Sequence, residues 1–530
     1  MLEALQVSPK ENLVFNYEVS NRNKGILLVD LGQITPRSEA VGLNPTSLQA
    51  LFHRINKYGN NYFADIAAVK HLPQGLTIEP KGFVNKGKKN TQEFDAVGFS
   101  LVNVNQVFDM FEAMKSMEIP IFADERADSE KIVIIGGSST INPIPLGLFA
   151  DVVVLGQGED ALLQITKVIE RNDIKKNEKL ELISKIQGVY VPTAQEEKVD
   201  FAEIDYRDEQ YVPGSVIVVD GKASLVISRS CPHNCNFCRL SSSEKYQKKT
   251  FEQLLRHIDL LKQNGAKEIA IVSASASTYR DRGKTVNDII DAIAERGMIP
   301  KHLADRPEQK GFRSQQSVVF APESSPGLRK IVLGKTIKEE DLRYAIDEAI
   351  KAKVNNITFY GITGILPFNN EPGESQEDLL YFKELAEYTN KKAKESKLNL
   401  SIEFSMMPLM PSPHTDLETH PMVSWRGFKE NLKILNDYVK ESSNIRFITH
   451  LEELDFMLEA MLNRGGEKEG TICFESYVLA KKEKMPFLDA LKEVLMNGEH
   501  FDKYLKAKSK EELPYEGKIK PLRRRIAVRE

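Results

Sequence analysis

Three of the chain's four cysteines fall in one short stretch, Ser228-Arg-Ser-Cys231-Pro-His-Asn-Cys235-Asn-Phe-Cys238-Arg239. Three and then two residues separate them. Thiolates so spaced converge on one metal centre. A tetrahedral zinc site needs a fourth ligand. Cys473 stands far away in a predicted helix, and His233 lies inside the loop, where it reaches the same ion awkwardly. Three thiolates are the right number for a [4Fe-4S] cube. Each holds one iron, and the fourth iron stays open to another ligand. Cysteines clustered in this way, in a chain that otherwise has one, point to metal or redox chemistry rather than disulfides.

The elements that must position this loop follow from hydrophobic patterning. A strand over Ala223–Ser230 leads straight into it. Strand candidates at Leu225–Ser228, Glu268–Ser273, Lys301–Ala304, Ser317–Ala321, Asn356–Tyr360 and Leu398–Phe404 alternate with helices. The helices cover Thr250–Gln263, Thr285–Arg296, Lys338–Lys353 and Ser375–Glu395. Such repetition predicts a partial (β/α)6 TIM-like barrel over residues 223–444, with its site at the carboxyl ends of the strands.

Upstream, residues 1–195 read as a doubly wound α/β domain with a parallel sheet. Its strands are the apolar runs Gly25–Asp30, Asp95–Ser100, Lys131–Ile135 and Asp151–Leu155, and helices separate them. Asn44 and Pro45 open the helix that follows the first strand. Residues 196–222 form a connector. Residues 445–530 are expected to be helical and end in a basic run, Arg523–Arg525.

The Cys231-x3-Cys235-x2-Cys238 loop after the first strand of a predicted barrel resembles the radical S-adenosylmethionine (SAM) superfamily. The resemblance implies that the open iron chelates SAM. It implies reductive cleavage of SAM to methionine and a 5′-deoxyadenosyl radical, which takes hydrogen from a substrate. It also assigns further SAM contacts. Phe237 would lie near the adenine and Ser275 would hold the amino group by its carbonyl. Glu323 would line the ribose pocket, with a helix cap as its other reading. Gly361 would let backbone approach the adenine.

Two longer segments resemble a subgroup with an N-terminal cobalamin-binding-type domain. One is Ala321-Pro-Glu-Ser-Ser-Pro-Gly-Leu-Arg-Lys330. The other is the layout of Val133-Ile-Ile-Gly136-Gly137 before Ala150–Glu159. Gly136, Gly137, Gly156 and Gly158 are then cofactor-binding candidates. The Asp-x-His-x-x-Gly motif of a histidine-ligated cobalamin is absent, because neither His53 nor His71 has the required neighbours. Cobalamin is thus a candidate cofactor beside the [4Fe-4S] cluster and SAM.

The expected function is a radical SAM enzyme acting on a substrate the sequence does not identify. The alternatives are a cobalamin-dependent methyltransferase of unactivated carbon and a SAM- or cluster-sensing protein without turnover. An electron donor such as ferredoxin or flavodoxin is the expected partner. Lys+Arg of 72 against Asp+Glu of 76 gives no global drive toward nucleic acid. The basic candidates are Lys81–Lys89, which contains Phe83, and Arg523–Arg525. No apolar run reaches the roughly 18 residues of a membrane span, and no signal-peptide pattern opens the chain. The expected location is cytoplasmic. Outside the main loop, His414 and His420 read as surface residues, with the pocket as their other reading, and His450 reads as a surface, capping or packing residue rather than a catalytic one. Tyr360 lines the barrel or donates hydrogen, and Cys473 reads as a small buried side chain.

Overall fold

Gly25-Ile-Leu-Leu-Val29 carries apolar residues on both faces, and it forms an interior strand covered on both sides. The computed structural model describes residues 11–19, 22, 24–31, 46–72, 75–83, 90–126, 131–301, 317–498 and 501–520. The expected helix opening at Asn44-Pro45 and the Arg523–Arg525 run lie outside the described residues. The chain divides into two units. One comprises Met1–Arg229, Tyr246–Ser273 and Tyr279–His302. The other comprises Ser230–Lys245, Ala274–Thr278 and Leu303–Glu530.

The first unit contains a seven-stranded sheet. Its strands are β1 (Lys24–Asp30), β2 (Tyr62–Leu72), β3 (Gly75–Pro80), β4 (Ala96–Ser100), β5 (Ile132–Gly136), β6 (Val152–Val154) and β7 (Val189–Tyr190). They lie in the order β3-β2-β1-β4-β5-β6-β7. The five inner strands are parallel, as the apolar runs predict. The two edge strands are antiparallel and were not expected. Neither was β2, whose run is interrupted by Asp65. That carboxylate is fully buried and accepts from the amides of Ile66, Gly82 and Phe83. Burial still pushes its carboxyl up to about 6.

A second sheet of this unit holds three parallel strands, β8 (Lys222–Val226), β9 (Glu268–Val272) and β10 (Ile299–Lys301). Two amphipathic helices follow β8 and β9. They are α1 (Phe251–Gln263), capped by Thr250, and α2 (Val286–Glu295), capped by Thr285. The third predicted barrel strand begins two residues early, at Ile299, and its residues 302–304 lie outside the described residues.

The second unit is built on four parallel strands, β11 (Ser317–Glu323), β12 (Asn356–Thr363), β13 (Ser401–Pro408) and β14 (Ile445–Ile448). Ile357, Phe359, Ile402, Phe404, Met406 and Phe447 point to one face and join the core under the flanking helices. The alternate residues Thr358, Glu403 and Ser405 are partly accessible, and Tyr360, Met407 and Arg446 are exposed, so the other face is polar and open. Strand β14 opens the region after residue 444, which is otherwise mostly helical, as expected. Three helices follow it: α3 (Glu453–Arg464), α4 (Glu467–Glu483) and α5 (Phe487–Gly498). Among the described residues, the six predicted barrel strands divide three and three, the first three within a five-stranded sheet and the last three within a four-stranded one.

Candidate functional site

The cysteine loop opens at Ser230, a non-glycine residue with φ of 57°. Its hydroxyl donates to the carbonyls of Leu240 and Glu244, at 3.2 and 2.8 Å. The loop is thereby closed at its base. The Cys238 amide donates to the Cys235 carbonyl at 3.1 Å, so the second and third cysteines flank one tight turn. Cys235 is buried, while Cys231 and Cys238 are half-buried.

Asn236, inside that turn, ties three loops together. Its amide donates to Leu333 O and its Nδ2 to Val332 O, both at 2.9 Å. Its carbonyl accepts from the Leu417 amide at 3.3 Å. A Cβ on Gly334 (φ 64°) would lie 2.5 Å from Asn236 Oδ1, so this close approach needs glycine. Phe237 packs against Leu328, Val332, Leu333, Ile362, Ile365, Leu409 and Leu417. The turn is thus anchored by its two inner residues, and its cysteines need not serve as the anchor.

Three thiols on one short loop are the donor set that a [4Fe-4S] cube takes. A tetrahedral zinc would draw its thiolates to within about 4 Å of one another. Among the described residues, no three Cys, His, Asp or Glu side chains come together as a single-ion site. The thiolates of a cube each take a different iron and stand further apart.

The other expected SAM contacts fare unevenly. The Ser275 carbonyl accepts from both the amide and the hydroxyl of Thr278, at 3.2 and 2.7 Å. Both lone pairs are engaged within its own turn. Glu323 (φ 62°) sits at the centre of a three-residue turn closed by Ser324 N to Pro322 O at 2.8 Å, a strained conformation. Its carboxylate pairs with Lys335 Nζ at 2.7 Å, with both side chains largely buried. It caps no helix, because Ser325 is the cap that follows. The missing side chain of Gly361 is accounted for by Met406, whose sulfur would lie 2.6 Å from a Cβ there. That close approach is made by the core.

In the first unit, Gly156 (φ 85°) runs against the connector, and a Cβ there would meet Ala202 O at 2.6 Å. The Gln157 amide donates to the same carbonyl. Gly137 stands equally close to Leu101, while Gly136 and Gly158 have ordinary room. The glycine freedom at 137 and 156 is therefore spent on the protein's own backbone. Lys81 pairs with Glu11 at 3.1 Å, and Phe83 packs on Phe52. Residues 84–89 of that stretch lie outside the described residues.

Several contributors were not foreseen. Glu374 Oε2 accepts from Thr363 Oγ1 and the Gly364 amide, both at 2.7 Å, and from Asn431 Nδ2 at 3.2 Å. It closes the loop that follows β12. Burial pushes its carboxyl up to about 7, against the pull of those two shorter donors. His420, expected at the surface, is buried and stacks edge-on to Phe368 in that loop, with ring centroids 5.4 Å apart. Its Nδ1 lies 2.9 Å from the Pro421 carbonyl. His414 packs on Tyr515. Cys473 is fully buried, and burial pushes its thiol up to about 12. Local sequence carried one hint of Glu374: it precedes Ser375, which with Asp378 forms the capping box of the next helix.

Residues 76–192 match the model of the N-terminal domain of radical SAM proteins, and residues 225–379 match that of the radical SAM superfamily. The chain is 26% identical over 475 residues to Uncharacterized protein MJ0966 of Methanocaldococcus jannaschii, covering 84% of this chain and 94% of that one. It is 29% identical over 127 residues to the ribosomal protein uS12 methylthiotransferase RimO of Pelodictyon phaeoclathratiforme. That match covers 23% of this chain and 30% of the relative. Among solved structures, the cobalamin-dependent SAM radical enzyme OxsB with aqua-cobalamin and SAM bound aligns at a TM-score of 0.41 and 15% identity. The alignment covers 89% of this chain and 56% of that one, so the chain spans about half of OxsB. Among the described residues no helix is long and apolar enough to cross a membrane.

Proposed function

The chain belongs to the radical SAM superfamily, and from that premise we propose that Cys231, Cys235 and Cys238 hold a [4Fe-4S] cluster whose open iron receives SAM. When bound and reduced by one electron from a donor, the cluster would supply that electron to the sulfonium of SAM, whose C5′–S bond would break to give methionine and a 5′-deoxyadenosyl radical for hydrogen abstraction. The observation that carries the reading is the anchoring of the thiol-bearing turn by Asn236 and Phe237 rather than by the thiols.

The chain's own residues then have separable tasks. Asn236 fixes the turn against the loops that follow β11 and β13. Phe237 keeps water from one side of the turn by packing on an apolar cluster. Lys335 neutralises Glu323 and holds the strained end of β11. Glu374 holds the end of β12 to its own loop. The polar face with Tyr360, Ser405, Met407 and Arg446 is where substrate would be oriented. The reading requires a one-electron donor of the ferredoxin or flavodoxin kind. It also requires a reducing cytoplasmic setting that keeps three clustered thiols from oxidation.

The test is anaerobic reconstitution followed by SAM and a strong reductant, with 5′-deoxyadenosine counted by mass spectrometry. The expected result is 5′-deoxyadenosine from the native chain and none from the Cys231→Ala/Cys235→Ala/Cys238→Ala variant, which also loses iron and sulfide. Wild-type iron and sulfide in the triple variant would overturn the assignment. Repeating the reaction with cobalamin separates the reaction types, because adenosylhomocysteine that rises only then assigns methyl transfer.

A further inference from the structure

Helix α3 touches the cysteine loop directly. Glu459 lies 3.3 Å from Arg239 Nη1, with the two side chains 19% and 34% exposed. Arg239 follows Cys238 in the chain and opens the one-turn helix Arg239–Ser243. One turn further along α3, Asn463 Nδ2 reaches the Pro411 carbonyl at 3.4 Å. Arg464, buried, donates to the carbonyls of Glu418 and His420 in the same loop. From its other side it donates to Tyr504 and Lys506. One helix of the C-terminal region thus grips both the loop that bears the thiols and the loop after β13. The second loop returns to the turn through Leu417 and Asn236.

Packing alone does not call for this arrangement. Phe456, Met457, Ala460 and Met461 already bury an apolar side of α3. A largely buried carboxylate added to that helix costs desolvation energy that only a well-placed partner offsets. Its partner here is the side chain next to the third cysteine.

We infer that Glu459 is a positioning residue for the cysteine loop, acting through Arg239, and that the C-terminal region is a working part of the site. The inference rests on the reading that the three cysteines hold the cluster. With Arg239 held, the short helix behind Cys238 keeps one direction, and so does the thiol at its start. With Arg239 released, the thiol samples several directions and the open iron presents a less defined site to SAM.

The test uses the full chain with Glu459→Gln, Arg239→Gln and the charge-swapped pair Glu459→Arg/Arg239→Glu. Three quantities are measured: amide hydrogen exchange over residues 231–245 before reconstitution, iron and sulfide after it, and the SAM concentration that half-saturates the change in the reduced cluster's EPR spectrum. Both single variants are expected to keep wild-type iron and sulfide. Exchange in the loop should rise about tenfold, and half-saturation should need about threefold more SAM. The swapped pair should return both toward wild type. Wild-type exchange and half-saturation in the single variants would overturn the inference and leave the cluster reading standing. A native chain that takes up no iron would overturn the cluster reading, and the inference with it. If Glu459→Gln does not fold, Arg239→Gln carries the test, because Arg239 is the more exposed partner.

Discussion

Glu159 and Arg229 form an ion pair in which the carboxylate is 5% exposed and the guanidinium 18%. Glu159 belongs to the first turn of the helix after Gly156-Gln157, and Arg229 stands two residues before Cys231. The Tyr206 ring lies 4.8 Å beneath the guanidinium. The glycine segment that reads as a cofactor loop in sequence is therefore engaged with the strand that leads into the cysteines. Glu159→Ala would leave a largely buried arginine without its counter-charge. The expected cost is about 3 kcal/mol, read as a lower urea midpoint with unchanged slope. An unshifted midpoint would show the pair to be incidental.

Gly334 and Gly517 both hold positive φ, at 64° and 78°, but only Gly334 has a neighbour. Gly517→Ala is expected to cost about 1 kcal/mol, the backbone penalty alone. Gly334→Ala adds a collision with Asn236, so its cost should be clearly larger and exchange in the cysteine loop should rise. Equal losses in the two variants would mean that Asn236 moves aside freely.

The raised carboxyl of Glu374 makes stability depend on pH. Its folded value, about 7, lies above the ordinary 4.5. The folded chain therefore binds the extra proton between these values, and stability falls as pH rises through that window. Glu374→Gln keeps an acceptor for Thr363, Gly364 and Asn431 and cannot ionise. Near pH 8 it should exceed wild type by on the order of 2 kcal/mol, and the gap should close near pH 5. Asp65 shifts the same way, so the difference between the two proteins is the measurement, from urea titrations at pH 5 to 8. A constant difference across pH would refute the assignment.

Thiol labelling separates the four cysteines. At pH 8, iodoacetamide should modify Cys231 and Cys238 in the folded, cluster-free chain and leave Cys473 untouched until denaturant is added. Peptide mass spectrometry reads each site. Labelling of Cys473 at the rate of Cys238 in the native chain would contradict its burial.

Arg464 donates from Nη1 and Nη2 to four carbonyls, a task for a planar fork. Arg464→Lys should behave almost as Arg464→Ala, with a loss of about 3 kcal/mol in either case. Thermal unfolding checks this, and full rescue by lysine would mean that charge alone matters.

The cysteine loop was legible in sequence because its chemistry is local: three thiols within eight residues need no tertiary information to be recognised. The inner strands of the N-terminal sheet were legible because both their faces are apolar. Strand β2 was not, because Asp65 breaks the pattern, and two of the three amides that satisfy it, those of Gly82 and Phe83, come from further along the chain. Strand β14 has four residues, too few to show a period. The surroundings of Ser275, Glu323 and Gly361 were not legible, for one shared reason. Each position carries the expected residue type, but the partner that decides its role, whether Thr278, Lys335 or Met406, is set by turn geometry or by a neighbouring element. Glu459 and Arg239 lie on opposite sides of the core strands in sequence, and nothing local joins them.

The cysteine loop belongs to a unit most of which follows it in the chain. At translation rates of about 5–20 residues per second, Cys238 leaves the ribosome on the order of 10–40 s before Glu459 does. Until Leu333 emerges the three thiols lack its turn, and throughout the interval they lack helix α3 to hold them. The nascent chain is then at its most vulnerable to oxidation, and metal delivered to it before Glu459 emerges would meet an unshaped loop. Cluster insertion is thus expected to be a post-translational event, and expression yield should depend more on oxygen during synthesis than on iron supply.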